Sequence, residues 1–187
     1  MTPNEKYFNY LKQRSSLGLL YRRYWLYPTL SRFVTGQALD VGCGIGDFLK
    51  FRPQTVGVDI NTMNVNWCLR HGLDAHLMSP DVLPFHDCAF DCVILDNVLE
   101  HLEAPEALLL EINRVLRSSG IILVGVPGQK GYASDSDHKI FYDKYKLDKT
   151  LNPFGLVAKK YIYMPFKSAW LNFHVRQYCI YGVFCKR

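Results

Sequence analysis

Between Gln37 and Val126 short apolar segments alternate with amphipathic ones, and this alternation constrains the chain more than any other feature. Ala38–Val41, Thr55–Asp59, Ala75–Met78, Asp91–Leu95 and Ile121–Val126 read as strands. Asp91–Leu95 is apolar almost throughout, as a strand covered on both faces should be. A short helix is expected near Asp47–Phe51. A longer one should run from Asn61, its N-cap, to about His71, where Gly72 stops it. Glu106–Leu116 places Leu109, Ile112, Val115 and Leu116 on one helical stripe, and Ser118-Ser119-Gly120 is expected to end it. Strands separated by helices predict a doubly wound, mostly parallel α/β sheet. Two late segments, Lys160–Met164 and Tyr178–Lys186, supply an antiparallel edge hairpin and bring the expected strands to seven. Residues 127–150 read as polar and irregular.

Nothing in the chain divides it, so residues 1–187 are expected to form one domain. Within it, 1–36 is a helical arm, 37–127 the core, and 128–187 a loop with the terminal strands. The arm holds Lys6, Lys12, Arg14, Arg22, Arg23 and Arg32 against the single acid Glu5, which accounts for the whole net charge of +5. Leu17, Leu20, Tyr21, Tyr24 and Trp25 form an apolar stripe expected to pack inward, and Pro28 is expected to interrupt the helix. A basic, aromatic arm suits an anionic acceptor or a peripheral contact with a membrane surface. No recognised RNA-binding motif accompanies it, so a nucleic-acid partner is not favoured. Oligomeric state is not legible.

The composition, 49% hydrophobic and 21% charged, is that of a folded globular chain. No apolar run reaches the ~18 residues that span a bilayer, and the N-terminus lacks a secretory layout; the cytosol is the expected location. Six cysteines include no Cys-x-x-Cys pair, and no paired histidine spacing completes a zinc site. They read as reduced, mostly buried thiols, and no metal is expected.

The first strand opens into Gly42-Cys43-Gly44-Ile45-Gly46, where glycines allow a tight turn and close approach of a ligand to bare backbone. In a doubly wound sheet that turn lies at the carboxyl ends of the strands, where ligands bind. The spacing departs from the dinucleotide fingerprint, since its third glycine comes one residue early and Asp47 stands in the fingerprint's place. Asp40, just before the loop, opposes a pyrophosphate and suits a cationic ammonium. Asp59 ends the second strand, where an acid can accept the hydroxyls of a ribose.

The run Leu39 to Leu49, then Gly57-Val58-Asp59, then Leu83-Pro84-Phe85-His86-Asp87-Cys88-Ala89-Phe90-Asp91, resembles class I methyltransferases. Asn97-Val98-Leu99-Glu100-His101-Leu102 through Glu111-Ile112-Asn113-Arg114-Val115-Leu116 resembles their type 11 branch, which includes quinone-biosynthesis methyltransferases. The resemblance covers residues 37–127. It implies a Rossmann-like fold and S-adenosylmethionine as cofactor. It also implies that Asp40, Gly42, Cys43 and Gly44 line the methionine end and that Asp59 holds the ribose. Asp81 and Val82 would lie beside adenine, and Asn97 near the sulfonium. Ser79 stands where many relatives carry an acid, and Ser118-Ser119-Gly120 replaces their Lys-Pro-Gly-Gly turn.

A sulfonium is an activated methyl donor, so the enzyme's task is alignment of the acceptor. A hydroxyl acceptor gains from a proton-accepting side chain. His101, just after the fourth strand, and His138, in the loop after the fifth, are the candidate catalytic residues. The expected reaction is O-methylation of a small or glycan-like acceptor, such as a nucleotide- or lipid-linked sugar. Methylation of a quinone or small aromatic is the alternative, and an idle fold that binds RNA or a partner through the arm is a third.

Overall fold

A computed structural model describes residues 1–187. Seven strands form one sheet in the order β3-β2-β1-β4-β5-β7-β6. They are β1 (Ala38–Val41), β2 (Thr55–Asp59), β3 (Ala75–Leu77), β4 (Phe90–Asp96), β5 (Leu116–Pro127), β6 (Leu156–Met164) and β7 (Cys179–Lys186). The first five are parallel, whereas β7 runs antiparallel to both β5 and β6. This is the Rossmann-like sheet expected from the sequence, with its antiparallel edge hairpin. The strand order reverses between β1 and β4, so the crevice for a ligand opens beyond their carboxyl ends.

The helices are α1 (Pro3–Lys12), α2 (Ser16–Tyr21), α3 (Tyr27–Ser31), α4 (Asp47–Phe51), α5 (Thr62–Arg70), α6 (Glu106–Val115), α7 (Gln129–Tyr132), α8 (Lys144–Leu151) and α9 (Ala169–His174). None is long and apolar enough to cross a membrane. Alternate strand residues supply two apolar layers. Val93, Leu95, Ile122 and Val124 join Leu109, Ile112 and Val115 of α6 and Leu147 and Leu151 of α8 on one face. Cys92, Ile94 and Leu123 join Leu26, Tyr27, Leu30 and Phe48 on the other. All six cysteines are free thiols, and Cys43, Cys68 and Cys92 are buried.

Local chemistry explains the boundaries. The Asn61 side chain accepts from the backbone N–H of Met63 and starts α5, and Gly72, at φ +70°, follows its end. Residues 127–150 are more ordered than their polarity suggests. Asp143 caps α8 by accepting from the Lys146 N–H, and Leu147 and Leu151, four apart, both face the core. The break expected at Ser118-Ser119-Gly120 lies earlier. Leu116 already pairs with Phe90, the register then slips, and Cys92 pairs with Ile121. Arg117 pins the bulge by donating to the Cys88 carbonyl and to Asp91.

The arm differs most from expectation. Arg22–Leu26 is a π-turn leading directly into α3, and Pro28 sits in the first turn of α3, where a missing N–H costs little. The helix is therefore re-phased rather than stopped. Leu17, Leu20, Tyr24 and Trp25 are 51–79% exposed instead of packed inward. The inward face is the neighbouring stripe Gly18, Tyr21, Arg22 and Leu26, which lines a cavity. A helix bridging a ligand cavity turns its binding groups inward, and an apolar stripe then has no core to cover.

Candidate active site

Three adjoining cavities open beyond β1 and β4, and Tyr7 and Asn97 border all three. The first, of about 280 Å³, lies between Asp59, Ile60, Asn61, Met78 and Pro80. Asp59 ends β2, 5% exposed. Its Oδ2 accepts from the Gly44 N–H at 2.8 Å and from Asn64 Nδ2 at 3.2 Å, and its Oδ1 accepts from the Asn61 N–H at 2.8 Å. A carboxylate offers about four acceptor positions, so these three donors fix its orientation and leave capacity for a ribose hydroxyl. Burial pushes its pKa up against those hydrogen bonds.

The second cavity, of about 70 Å³, is lined by Asp40, Gly42, Cys43 and Gly44 on one side and by Arg14, Arg22 and Asn97 on others. Gly42 and Gly44 have φ of +76° and +56°, and a Cβ on Gly42 would lie 2.5 Å from Val98 Cγ2. Asp40 is 5% exposed. Burial, and then the neighbouring acids Asp96 and Asp59, hold its pKa well above the usual carboxylate range. A cation entering this cavity relieves that cost. Asn97, in the left-handed region at φ +56°, donates from Nδ2 to Asp96 at 2.8 Å. Asp96 also accepts from the Tyr181 hydroxyl at 2.8 Å, with the Arg22 guanidinium 3.7 Å away.

The third cavity, of about 190 Å³, adds Glu100, His138 and Arg176, which line neither of the first two. Arg14, Arg22 and Arg176 and the tyrosines Tyr7, Tyr10, Tyr21 and Tyr181 line it with Glu100, His101 and His138. Glu100 and His101 lie in a 3-10 turn, Leu99–His101, just after β4. The loop that bears His138 is tied to that turn, because the N–H groups of Lys139 and Ile140 both donate to the Glu100 carbonyl, at 2.7 and 3.1 Å. His138 Nδ1 donates to the Tyr132 carbonyl at 2.9 Å, and His101 Nδ1 to Asp137 at 3.2 Å. The two rings meet edge to face, 4.7 Å between centroids. Glu100 is fully buried, and neither carboxylate oxygen has a hydrogen-bond partner. Burial pushes its pKa up to about 8. Burial, and then His138, lower that of His101, against the pull of Asp137.

The structure thus gathers Asp40, Gly42, Cys43, Gly44, Asp59, Asn97, His101 and His138 around one crevice. Asp81 and Val82 are not among them. Both are exposed on the turn after β3 and line none of the three cavities, whereas their neighbours Met78 and Pro80 line the first. Sequence reasoning also missed Tyr7, Arg176 and Glu100. For Glu100 a signal existed, since the acid follows the apolar pair Val98-Leu99 just beyond the end of a buried strand.

Residues 39–124 match the family model described as a methyltransferase domain. That segment, 86 of the chain's 187 residues, is similar to a methyltransferase domain. The match spans the crevice's cofactor half and stops short of most of the third cavity. An uncharacterised protein of Methanocaldococcus jannaschii is 33% identical over 91 residues, 49% of this chain and 44% of that protein. A ubiquinone/menaquinone biosynthesis C-methyltransferase of Hahella chejuensis is 33% identical over 101 residues, 46% of this chain and 41% of its own. The chain therefore spans less than half the length of these two curated relatives. A Thermotoga maritima structure, described as a S-adenosylmethionine-dependent methyltransferase and possible histamine N-methyltransferase, superimposes with a TM-score of 0.76 at 15% identity. It covers 98% of this chain and 99% of that one, which extends the shared fold beyond the matched segment.

S-adenosylmethionine is the cofactor that this likeness implies, and the residues present fit it. The buried Asp40, crowded by acids, suits its cationic end, a cradle at Gly42 leaves no room for a side chain, and Asp59 keeps acceptor capacity for the ribose.

Proposed function

We propose that this protein methylates an oxygen of a small polar acceptor, a sugar bearing a phosphate such as a nucleotide- or lipid-linked sugar. The observation that carries the reading is the meeting of all three cavities at Tyr7 and Asn97. It gives a cofactor cleft a direct opening into a separate polar chamber. Bound S-adenosylmethionine supplies an activated methyl group. The chain's own residues bind, align and exclude water. Asp59 and Asp40 hold the two ends of the cofactor, Asn97 borders the junction, and α1 covers it through Tyr7.

The chamber's chemistry selects the acceptor class. Arg14 is bound to Asp47 at 2.6 Å and Arg22 lies beside Asp96, whereas Arg176 has only the Tyr10 hydroxyl, at 3.2 Å. Arg176 is therefore the guanidinium available to a phosphate. Tyr7 and Tyr10, both partly exposed, offer ring faces and hydroxyls to a sugar. The acceptor's reactive hydroxyl is placed against His101, His138 and Glu100, where loss of its proton is favoured.

A quinone or other small aromatic acceptor is the second reading, favoured by the Hahella relative. Incubation with methyl-labelled S-adenosylmethionine decides between them. Label should appear in phosphorylated sugar fractions; label confined to quinone precursors would replace this reading with the second. Failure to bind S-adenosylhomocysteine in calorimetry would favour the idle, partner-binding fold. His138→Ala should lower turnover by about 10²-fold, the low end for a group that assists proton transfer, with S-adenosylhomocysteine affinity nearly unchanged.

A further inference from the structure

We propose that Glu100, His101 and His138 form a binding site for one divalent transition-metal cation, at the inner wall of the acceptor chamber. Their ligand atoms lie within 4.8 Å of one another, and His138 Nε2 is 3.9 Å from Glu100 Oε1. The hydrogen-bond pattern makes this more than proximity. A backbone carbonyl only accepts, so the bond to Tyr132 places the His138 hydrogen on Nδ1 and leaves a lone pair on Nε2. The Asp137 carboxylate does the same for His101. Two imidazole lone pairs and a fully buried carboxylate without partners thus converge, and no hydrogen bond links them. The 3.9 Å gap is too long for one between Glu100 and His138.

A cation satisfies all three groups together. Ligand bonds of about 2.0–2.2 Å set neighbouring donors roughly 3–3.5 Å apart, so donors now up to 4.8 Å apart must draw together by as much as about 1–2 Å. The outer partners are also those of a metal site, since ligating histidines characteristically donate the other ring N–H to a carboxylate or a backbone carbonyl. Two imidazoles and one carboxylate leave coordination positions open and suit zinc, iron(II) or cobalt rather than magnesium. All three side chains line the chamber that the proposed function assigns to the acceptor, so positions left open on a bound cation would be accessible from it. On that reading the imidazoles act as ligands, and the cation holds the acceptor hydroxyl and lowers its pKa; the binding site itself does not depend on it.

The test uses tag-free, full-length protein stripped with a chelator, titrated with Co²⁺ by visible absorption and with Zn²⁺ by calorimetry. One ion per chain and a cobalt d–d spectrum are expected. Glu100→Gln, His101→Ala and His138→Ala should each weaken Zn²⁺ binding by tenfold or more. Asp137→Asn, an outer partner, should weaken it by about 10–100-fold. Retained S-adenosylhomocysteine binding shows that each variant is folded. Absence of Zn²⁺ and Co²⁺ uptake by the wild type, or equal uptake by folded variants, overturns the proposal. A wild type that takes up the metal but not S-adenosylhomocysteine supports it while refuting the methyltransferase reading.

Discussion

Asp40 and Asp59 are both buried acids at strand ends, yet their surroundings assign them different work. Asp59 is ringed by donors and keeps its geometry without a ligand. Asp59→Ala removes one charge-assisted hydrogen bond to the cofactor, worth about 1.5–3 kcal/mol. Calorimetry should show S-adenosylhomocysteine binding roughly 10–150-fold weaker. Asp40 is crowded by acids, and its free-state pKa is raised. Binding a ligand ammonium favours the ionised carboxylate, so protonation of Asp40 must be undone on binding. Affinity should therefore rise with pH up to the raised pKa of free Asp40 and level off above it, with proton release detectable in buffers of different ionisation enthalpy. Asp40→Asn should abolish that slope. A flat profile in the wild type would remove Asp40 from the ammonium site.

Among the elements, α1 is the one whose loss would matter without unfolding the rest. Its Tyr7 borders all three cavities of the crevice, the Asn4 carbonyl accepts from Asn61 Nδ2 at 3.0 Å, and Phe8 meets Trp67 edge to face. Leu11, 2% exposed, is its buried anchor. Leu11→Ala costs about 2–5 kcal/mol where a core leucine cannot be replaced by collapse, enough to undock a ten-residue helix held by few other contacts. Amide exchange of residues 3–12 should accelerate and S-adenosylhomocysteine affinity should fall, while the sheet amides stay protected. Loss of protection in β1 or β4 as well would show that α1 is part of the folding core rather than a cover.

The whole molecule is closed by its last strand. β7 pairs with β5 from Ile121 to Pro127 and with β6 from Leu156 to Met164, so it stands inside the sheet although it comes last in the chain. Phe184 on β7 is fully buried in the larger apolar layer. Phe184→Ala should cost about 3–5 kcal/mol, a large share of the roughly 5–15 kcal/mol that holds a typical domain. Thermal unfolding should stay a single transition, lowered by roughly 10 °C. Two separate transitions would mean that the terminal hairpin folds independently of the parallel strands. The charge is equally uneven at this scale, since the basic arm lies over the third cavity and contributes Arg14 and Arg22 to its wall.

The parallel strands, the caps at Asn61 and Gly72, the glycine cradle and Asp59 were all legible because each rests on local rules: apolar periodicity, side-chain capping and backbone freedom at successive residues. The acceptor chamber obeys no such rule. His138 reaches Glu100 only because two N–H groups beyond it dock on the Glu100 carbonyl, and Tyr7, Arg176 and Tyr181 come from the two ends of the chain. The inward face of the arm was read one stripe away for the same reason, since periodicity reports what a helix would bury in a core and says nothing of a cavity. Sequence alone determined the scaffold and the cofactor side, where function is carried by neighbours along the chain. Tertiary structure decided the acceptor side, where groups distant in sequence are held together by long-range contacts.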